Sequence, residues 1–452
     1  MLTSINPYTQ RTLKTYRADT PAQINRKLAR AERAFADWSA RPLADRTEAL
    51  RRVGRYLLAH KQELGALATA EMGKTLAEAV AEVEKCALTC TYYADHAERF
   101  LADQPIESDA RKSFVTYQPL GPVLAVMPWN FPYWQAMRFA IPGLIAGNVG
   151  LLKHAANVTG CGVAIETLFR EGGLPEGVFQ TLLIESATVR DVLSDARVKA
   201  VTLTGSEKAG ASVAETAGSL IKKSVLELGG SDALIVLADA DLDLAAETAV
   251  KSRMQNAGQS CIAAKRFIVE KSVKKAFTER VLHHIEAIRQ GDPTDPDTTM
   301  GPMARTDLAE GLITQCRSTL AQGARLLAGH ARADGCNVAP ILLDRVKPGM
   351  TAFDDETFGP LAVLVDARDE ADAVRLANQS RYGLGSALWT QDANKADRLA
   401  RQIQAGSVFI NGLMRSDARV PFGGVKLSGF GRELSDVGMK EFVNIKTVWI
   451  DR

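Results

Sequence analysis

Four segments carry residues whose types and settings could do chemistry in this chain. Cys261 lies in QNAGQSC, with Gly258 permitting a close backbone approach and small or polar residues around the sulfur. A thiol attacks only as thiolate, so its ordinary pKa of about 8.5 must be lowered by its surroundings. A lone cysteine is equally at home as a small buried hydrophobe. Upstream, Glu227 interrupts the apolar run VLELGG. A carboxylate among strand leucines is costly unless paired or functional, and the two glycines after it let a ligand come close. In PWNFPYWQ, Asn130 follows a β-type run and precedes Pro132, which suits a first helical turn. That puts an amide donor at a strand C-terminus, where α/β proteins bind ligands; the surrounding aromatics also suit plain core packing. VTLTGSEKAG sets Gly205 and Ser206 at a helix start, a place for phosphate oxygens. This is neither GxGxxG nor a GK[ST] loop.

The elements that must position these groups fall into two textures. The first hundred residues read as helices: Ile24, Leu28, Ala31, Phe35 and Trp38 make one apolar stripe. Pro42 ends it, Leu50 to Leu67 continue the pattern until Gly73, and another helix covers roughly 75–100. From about 112, short apolar runs alternate with helical stretches. They are VLAVMPWN, GLLK, VFQTLLI, AVTLTG, SVLELGG, ALIVL, RFIVE, LAVLVD, SALWT and SVFIN. Continuous apolar strands between helices predict an α/β protein with parallel sheets covered on both faces. The closing FVNIKTVWI reads as a strand available to an interface.

Composition removes several classes of function. The chain has 452 residues, and 55 Lys+Arg against 53 Asp+Glu leave a net charge of +2, no broad field for nucleic acid or anionic membrane. Hydrophobic residues at 46% and charged residues at 24% suit an ordinary globular protein. No apolar run of about 18 residues suggests a membrane span, and the start lacks the pattern of a signal peptide. Six cysteines without a CxxC pair suit a reducing compartment, so the expected location is cytoplasmic. No two histidines have the spacing of a helical metal pair, and no metal is expected.

Several blocks in order give the chain a resemblance to the aldehyde dehydrogenase superfamily over nearly its whole length. They are NPYTQ, PWNFP, LKH, GLPEGVF, TGS, LELGG, GQSC, ETFGP, FING and PFGGVKLSGFGRE. MPWNFPYWQAMR, GQSCIAAKRF and SDARVPFGGVKLSGFGRE are most similar to the short succinate-semialdehyde branch. The resemblance implies a Rossmann-like cofactor domain (1–100 and 120–229), an α/β catalytic domain (230–429) and a small β oligomerisation element (101–119 with 430–452). It implies a homodimer or homotetramer, a small aldehyde substrate, and oxidation through a Cys-bound thiohemiacetal and thioester.

The same resemblance assigns roles. Cys261 matches the nucleophile, Asn130 the oxyanion donor and Glu227 the base that activates water. Trp129, Lys153, Gly205, Ser206, Leu228, Glu356 and Phe358 match cofactor contacts. Where NAD-selective relatives carry a Glu, this chain has Ala156, so NADP is expected, with NAD also accepted. His154 stands in place of the usual Pro. Arg138, Trp134 and Ser416 match the substrate end, with the planar Arg fork suited to a distal carboxylate. Gln255 replaces a second Arg of some relatives, and Arg415 is a substitute for it to weigh. Succinic semialdehyde is the expected substrate. The alternatives are another small aldehyde such as lactaldehyde or glycolaldehyde, a CoA-acylating relative (disfavoured by Glu227), and a silent structural homologue.

Overall fold

Two parallel sheets carry the loops on which these residues lie. The computed structural model describes residues 1–451. A six-stranded sheet runs in the order Gly429–Phe430, Lys223–Glu227, Ala200–Thr204, Pro122–Met127, Val149–His154 and Phe179–Thr181. It is parallel apart from the Gly429–Phe430 edge. A seven-stranded sheet runs Arg325–Ala328, Ile341–Asp344, Leu361–Ala367, Ala264–Glu270, Asp232–Val236, Gly385–Trp389 and Ser407–Ile410. Only its first pair is antiparallel. Ala233 and Ile235 enter one hydrophobic cluster, and Leu234 and Val236 the one on the opposite face. This period of two, with apolar residues on both sides, is what the unbroken run ALIVL predicts. A fully buried side chain of this size contributes about 1.5–3 kcal/mol.

The helices of the first hundred residues form as the spacing predicts, at Pro21–Ser39, Leu43–Ala59, Lys61–Met72 and Leu76–Leu101. The first and last each begin with a capping box, Thr20 with Gln23 and Thr75 with Glu78. A capping side chain of this kind is worth about 1 kcal/mol. The helix Lys61–Met72 stops at Gly73, which adopts the left-handed φ of +87°.

Four expectations need correction. Residues before Pro21 are not helical: Leu2–Ile5 pairs antiparallel with Thr12–Tyr16. The second of these strands is almost wholly exposed, so no apolar alternation marks it. VFQTLLI gives only Phe179–Thr181. The strands Arg325–Ala328 and Ile341–Asp344 were not foreseen, being short or half-exposed. The helix expected to begin at Pro132 begins at Trp134 instead. Its free N–H groups at Tyr133 and Trp134 both donate to Glu82 Oε1 at 2.8 Å, so a carboxylate from the helix Leu76–Leu101 caps it.

FVNIKTVWI forms the strand Val443–Ile450, paired antiparallel along Lys112–Pro119, which pairs in turn with Gln104–Pro105. Arg452, the last residue of the segment 430–452, lies outside the described residues.

Candidate active site

The nucleophile candidate sits on a loop built from unusual backbone. Asn256, Ala257 and Gly258 all have φ near +50° to +70°, a region that costs about 1–2 kcal/mol for a residue with a Cβ. A Cβ on Gly258 would lie 2.3 Å from the carbonyl oxygen of Gly359, so only glycine lets this loop touch the ETFGP loop. The other side is pinned by side chains. The Arg253 guanidinium, fully buried, donates to the carbonyls of Thr357 and Gly359. Lys265 Nζ donates to the carbonyls of Ser260 at 2.8 Å and Cys261 at 2.7 Å. It also lies 3.6 Å from Glu356.

Asn130 is buried beside this loop. Its Nδ2 donates to the Gln259 carbonyl at 3.0 Å, and Asn256 Nδ2 donates to the Asn130 carbonyl at 2.8 Å. An amide has two N–H donors, so one Asn130 hydrogen anchors the loop and the second is left for a substrate oxygen. Burial pushes the Cys261 thiol up to about 12, against the opposing pull of Lys265 and Arg138. The resting group is therefore a thiol, and the two cations favour its ionisation.

Glu227 ends the strand Lys223–Glu227 and is 2% exposed, with neither carboxylate oxygen hydrogen-bonded. Desolvation holds its pKa well above the carboxylate range; Arg138 opposes this and Glu433 adds to it. A raised pKa makes the ionised carboxylate a stronger base. It packs against Gly423, where a Cβ would come within 2.8 Å of its Oε1.

One cavity of about 430 Å³ brings together Cys261, Trp134, Arg138 and Ser416, with Lys85, Gln255 and Arg415 also on its wall. Glu227 does not line it. Arg138 forms an ion pair with Glu433, both nearly fully buried, and lies over the Phe422 ring at 4.6 Å. The charge expected to be free for a substrate is thus already shared with a protein carboxylate. Ser416 Oγ accepts from Trp134 Nε1 at 3.0 Å and from Lys85 Nζ at 2.8 Å.

Most cofactor candidates lie along the six-stranded sheet, while Glu356 and Phe358 come from the ETFGP loop before the strand Leu361–Ala367 of the other sheet. Lys153 and Ala156 line a separate cavity of about 640 Å³ together with Ser186. Lys153 is buried, meets only Ser186 Oγ at 3.4 Å, and pairs with no carboxylate among the described residues. Desolvation lowers its pKa. His154, the residue in place of proline, is held neutral by burial, which lowers it to about 4. Its Nε2 donates to the Pro132 carbonyl at 2.8 Å and its Nδ1 accepts from Ala155 N–H at 2.9 Å, closing the strand end. Ser206 caps the helix Glu207–Ser219, accepting from Ala209 N–H, with Gly205 beside it. Gly210 is held close to the Leu228 side chain, where a Cβ would clash. Glu356 Oε1 accepts from Gly230 N–H at 3.0 Å, and a Cβ on Gly229 would sit 2.5 Å from Glu356 Oε2, so the carboxylate would have to shift. Trp129 and Phe358 meet edge to face at 5.7 Å. Gly205, Ser206, Leu228, Glu356 and Phe358 do not line the Lys153 cavity, so no single cavity gathers the whole set.

Sequence reasoning missed Lys85, Lys265 and the pairing of Glu433. Lys265 carried a signal, a lysine inside the strand start AAKRF. Lys85 carried none beyond its place on an amphipathic helix.

Residues 1–448 match the Aldehyde dehydrogenase family, and the chain belongs to it. Among its relatives, succinate semialdehyde dehydrogenase [NAD(P)+] Sad of Escherichia coli K12 is 47% identical, over 99% of this chain and 98% of that one. Succinate-semialdehyde dehydrogenase [NADP(+)] 1 of Mycobacterium bovis is 48% identical, over 99% of both chains. The crystal structure of succinic semialdehyde dehydrogenase from Streptococcus pyogenes, in complex with NADP+, superposes over 100% of both chains at 37% identity with a TM-score of 0.98. The fold is that of aldehyde dehydrogenases.

Proposed function

We propose that this protein oxidises succinic semialdehyde to succinate with NADP, accepting NAD as well. The observation that carries the reading is one cavity that sets the Cys261 thiol and a cationic, hydroxyl-bearing wall together. Relatives of nearly equal length named for this activity support it.

Cys261 gives up its proton to water, a loss that Lys265 and Arg138 favour, its Sγ forms the bond to the aldehyde carbon, and the carbonyl oxygen takes the negative charge. The free Asn130 N–H and the Cys261 backbone N–H stabilise that oxygen; one such donor is typically worth about 2.7–4 kcal/mol. A dinucleotide held by Lys153 and Ser206 would supply the acceptor for the hydride on this carbon. The resulting thioester is hydrolysed by water that Glu227 deprotonates, and the C–S bond breaks to restore Cys261.

The dinucleotide fits the residues present: Lys153 is a buried cation without an anion, and Ser206 opens a helix at a strand end. Trp129, Gly205, Leu228, Glu356 and Phe358 complete its contacts in this reading, and Ala156 puts no carboxylate near a 2′-phosphate. Arg138, Trp134 and Ser416 form the substrate end. The six-, seven- and three-stranded sheets support a division into cofactor (1–100 and 120–229), catalytic (230–429) and oligomerisation (101–119 with 430–452) parts, except that Gly429–Phe430 adds an edge strand to the six-stranded sheet. Among the described residues no helix is long and apolar enough to cross a membrane, and six free thiols support a cytoplasmic setting. The edge strand Val443–Ile450 exposes Ile445 and Trp449 on one face, which supports pairing into a homodimer or homotetramer.

A panel of aldehydes assayed with NADP and NAD tests the reading. Succinic semialdehyde should exceed butanal in kcat/KM by roughly thirtyfold or more, as expected of a charged recognition contact. A parent enzyme that prefers butanal would show the substrate to be wrong.

A further inference from the structure

Three cations reach the wall of the Cys261 cavity, Arg415 from a loop and Arg138 and Lys85 from separate helices, and the two helical ones differ in what they already hold. Arg138 is committed to Glu433. Lys85, on the helix Leu76–Leu101, has no carboxylate partner among the described residues. The nearby acids are spent. Glu82 binds Lys74 with one oxygen and caps Tyr133 and Trp134 with the other. Glu78 caps its own helix and accepts from Asn256 N–H at 2.7 Å. Asp417 is engaged by Arg419 through two hydrogen bonds.

The Ser416 hydroxyl adds an independent sign. An hydroxyl has two acceptor positions and one O–H. Both acceptor positions are filled here, by Trp134 Nε1 and Lys85 Nζ. The O–H must therefore donate, and no protein acceptor receives it among the described residues. Lys85 itself uses one N–H on Ser416 and lies 4.0 Å from the Trp134 ring centre, leaving further N–H donors. An ammonium and an hydroxyl, both with hydrogens to give, thus adjoin each other on a cavity wall that carries the nucleophile.

We propose that Lys85, with the Ser416 hydroxyl it engages, takes the distal carboxylate of the substrate beside Arg138, whose Nε holds Glu433 as part of the cavity frame. This rests on the reading of the substrate as a semialdehyde bearing a carboxylate, and it makes Lys85 a specificity-determining residue.

The groups facing Lys85 are Glu82 and Cys86 on its own helix, Arg138 on the next, and Asp417 on the loop. Desolvation, reinforced by Arg138, pulls Lys85 down to about 8. Arg419 holds Asp417 down to about 2, and burial keeps the Cys86 thiol well up. Lys85 is thus charged below about 8 and loses its charge as pH rises through that value. The preference for the charged substrate should fall over the same window.

The test compares kcat/KM for succinic semialdehyde and butanal, with NADP, in the parent, Lys85→Met, Lys85→Arg and Arg138→Leu. Lys85→Met is expected to lower the ratio of the two by roughly thirtyfold, through KM for the charged substrate. Lys85→Arg should recover most of the ratio and remove its decline above pH 8. Arg138→Leu strands Glu433 and removes a second cation from the same wall, so it should lower both substrates and reduce the ratio as well. An unchanged ratio in Lys85→Met, or an equal loss of both substrates, overturns the role of Lys85 while the parent's preference still stands. A ratio that collapses only in Arg138→Leu assigns the carboxylate to Arg138 and also overturns it. A parent that prefers butanal removes the semialdehyde reading itself.

Discussion

The nucleophile loop and the charged wall border the same cavity but are held in different ways. The loop is fixed through main chain: three consecutive residues at positive φ, two asparagine amides on carbonyl groups, and Lys265 on the carbonyls of Ser260 and Cys261. The wall is fixed through side chains from three distant segments, with Lys85 and Trp134 meeting at Ser416 and Arg138 closing on Glu433. Backbone placement leaves few substitutions that keep the geometry. A wall of side-chain charges can be rewritten one residue at a time. The first arrangement suits a reaction common to all aldehydes, and the second suits the choice among them.

The largest expected effects therefore fall at the loop and its base, on every substrate alike. Cys261→Ala should abolish NADPH formation from both succinic semialdehyde and butanal; steady turnover in that variant would remove the covalent mechanism. Glu227→Gln should still give one burst of NADPH per active site, because hydride transfer precedes the blocked hydrolysis. Its steady rate should then drop by about 10²–10⁴, the usual contribution of a positioned base. Stopped-flow absorbance measures both phases, and an absent burst would place Glu227 before the thioester rather than after it.

A smaller loss separates backbone placement from charge. Gly258→Ala leaves every ionisable group in place but pushes a methyl into the Gly359 carbonyl. The Cys261 loop must move away from the ETFGP loop, and a displacement near 1 Å typically costs about 100-fold in rate. The burst rate should fall equally for succinic semialdehyde and butanal, with the ratio of their kcat/KM values kept. A changed ratio would mean that loop and wall are not separable.

That division also explains what could be read from the chain. Loop residues sit in contiguous blocks such as GQSC, LELGG and PWNFP, so the residue types and their neighbours identify them. The Lys85 and Ser416 contact joins positions 331 residues apart, and nothing in the spacing of an amphipathic helix marks which lysine will meet which loop. Arg138 was legible as a cation among apolar residues, but its commitment to Glu433 depends on tertiary closure. The parallel sheets were plain because their strands are buried on both faces. The hairpin at the start was not, because Thr12–Tyr16 is exposed and lacks the alternation that marks a half-buried strand. The start of the helix at Trp134 was set from outside, by the Glu82 carboxylate, and local sequence does not encode that.

The smallest effect is expected at the cofactor, where position 156 tests whether a single exposed side chain sets a preference. Ala156 lies on the wall of the Lys153 cavity, at the start of the short turn Ala156–Val158 that follows the strand Val149–His154. It is exposed, so a charge placed there is partly screened by water and salt. Lys153, by contrast, is buried and meets no anion among the described residues, so in this reading it supplies the attraction for a 2′-phosphate. Ala156→Glu would bring a carboxylate that both repels that phosphate and offers acceptors to the ribose hydroxyls of NAD. An interaction of about 0.7 kcal/mol, normal for exposed charges at short range, corresponds to roughly threefold, and the two effects together to about tenfold. The ratio of kcat/KM for NADP over NAD should shift by that amount towards NAD and shift less as ionic strength rises. The aldehyde ratio should stay as it is, since Lys153 and Lys85 line different cavities. If the parent already favours NAD by more than tenfold, the absence of a carboxylate at 156 is not what admits the phosphate, and Lys153 loses its assigned role.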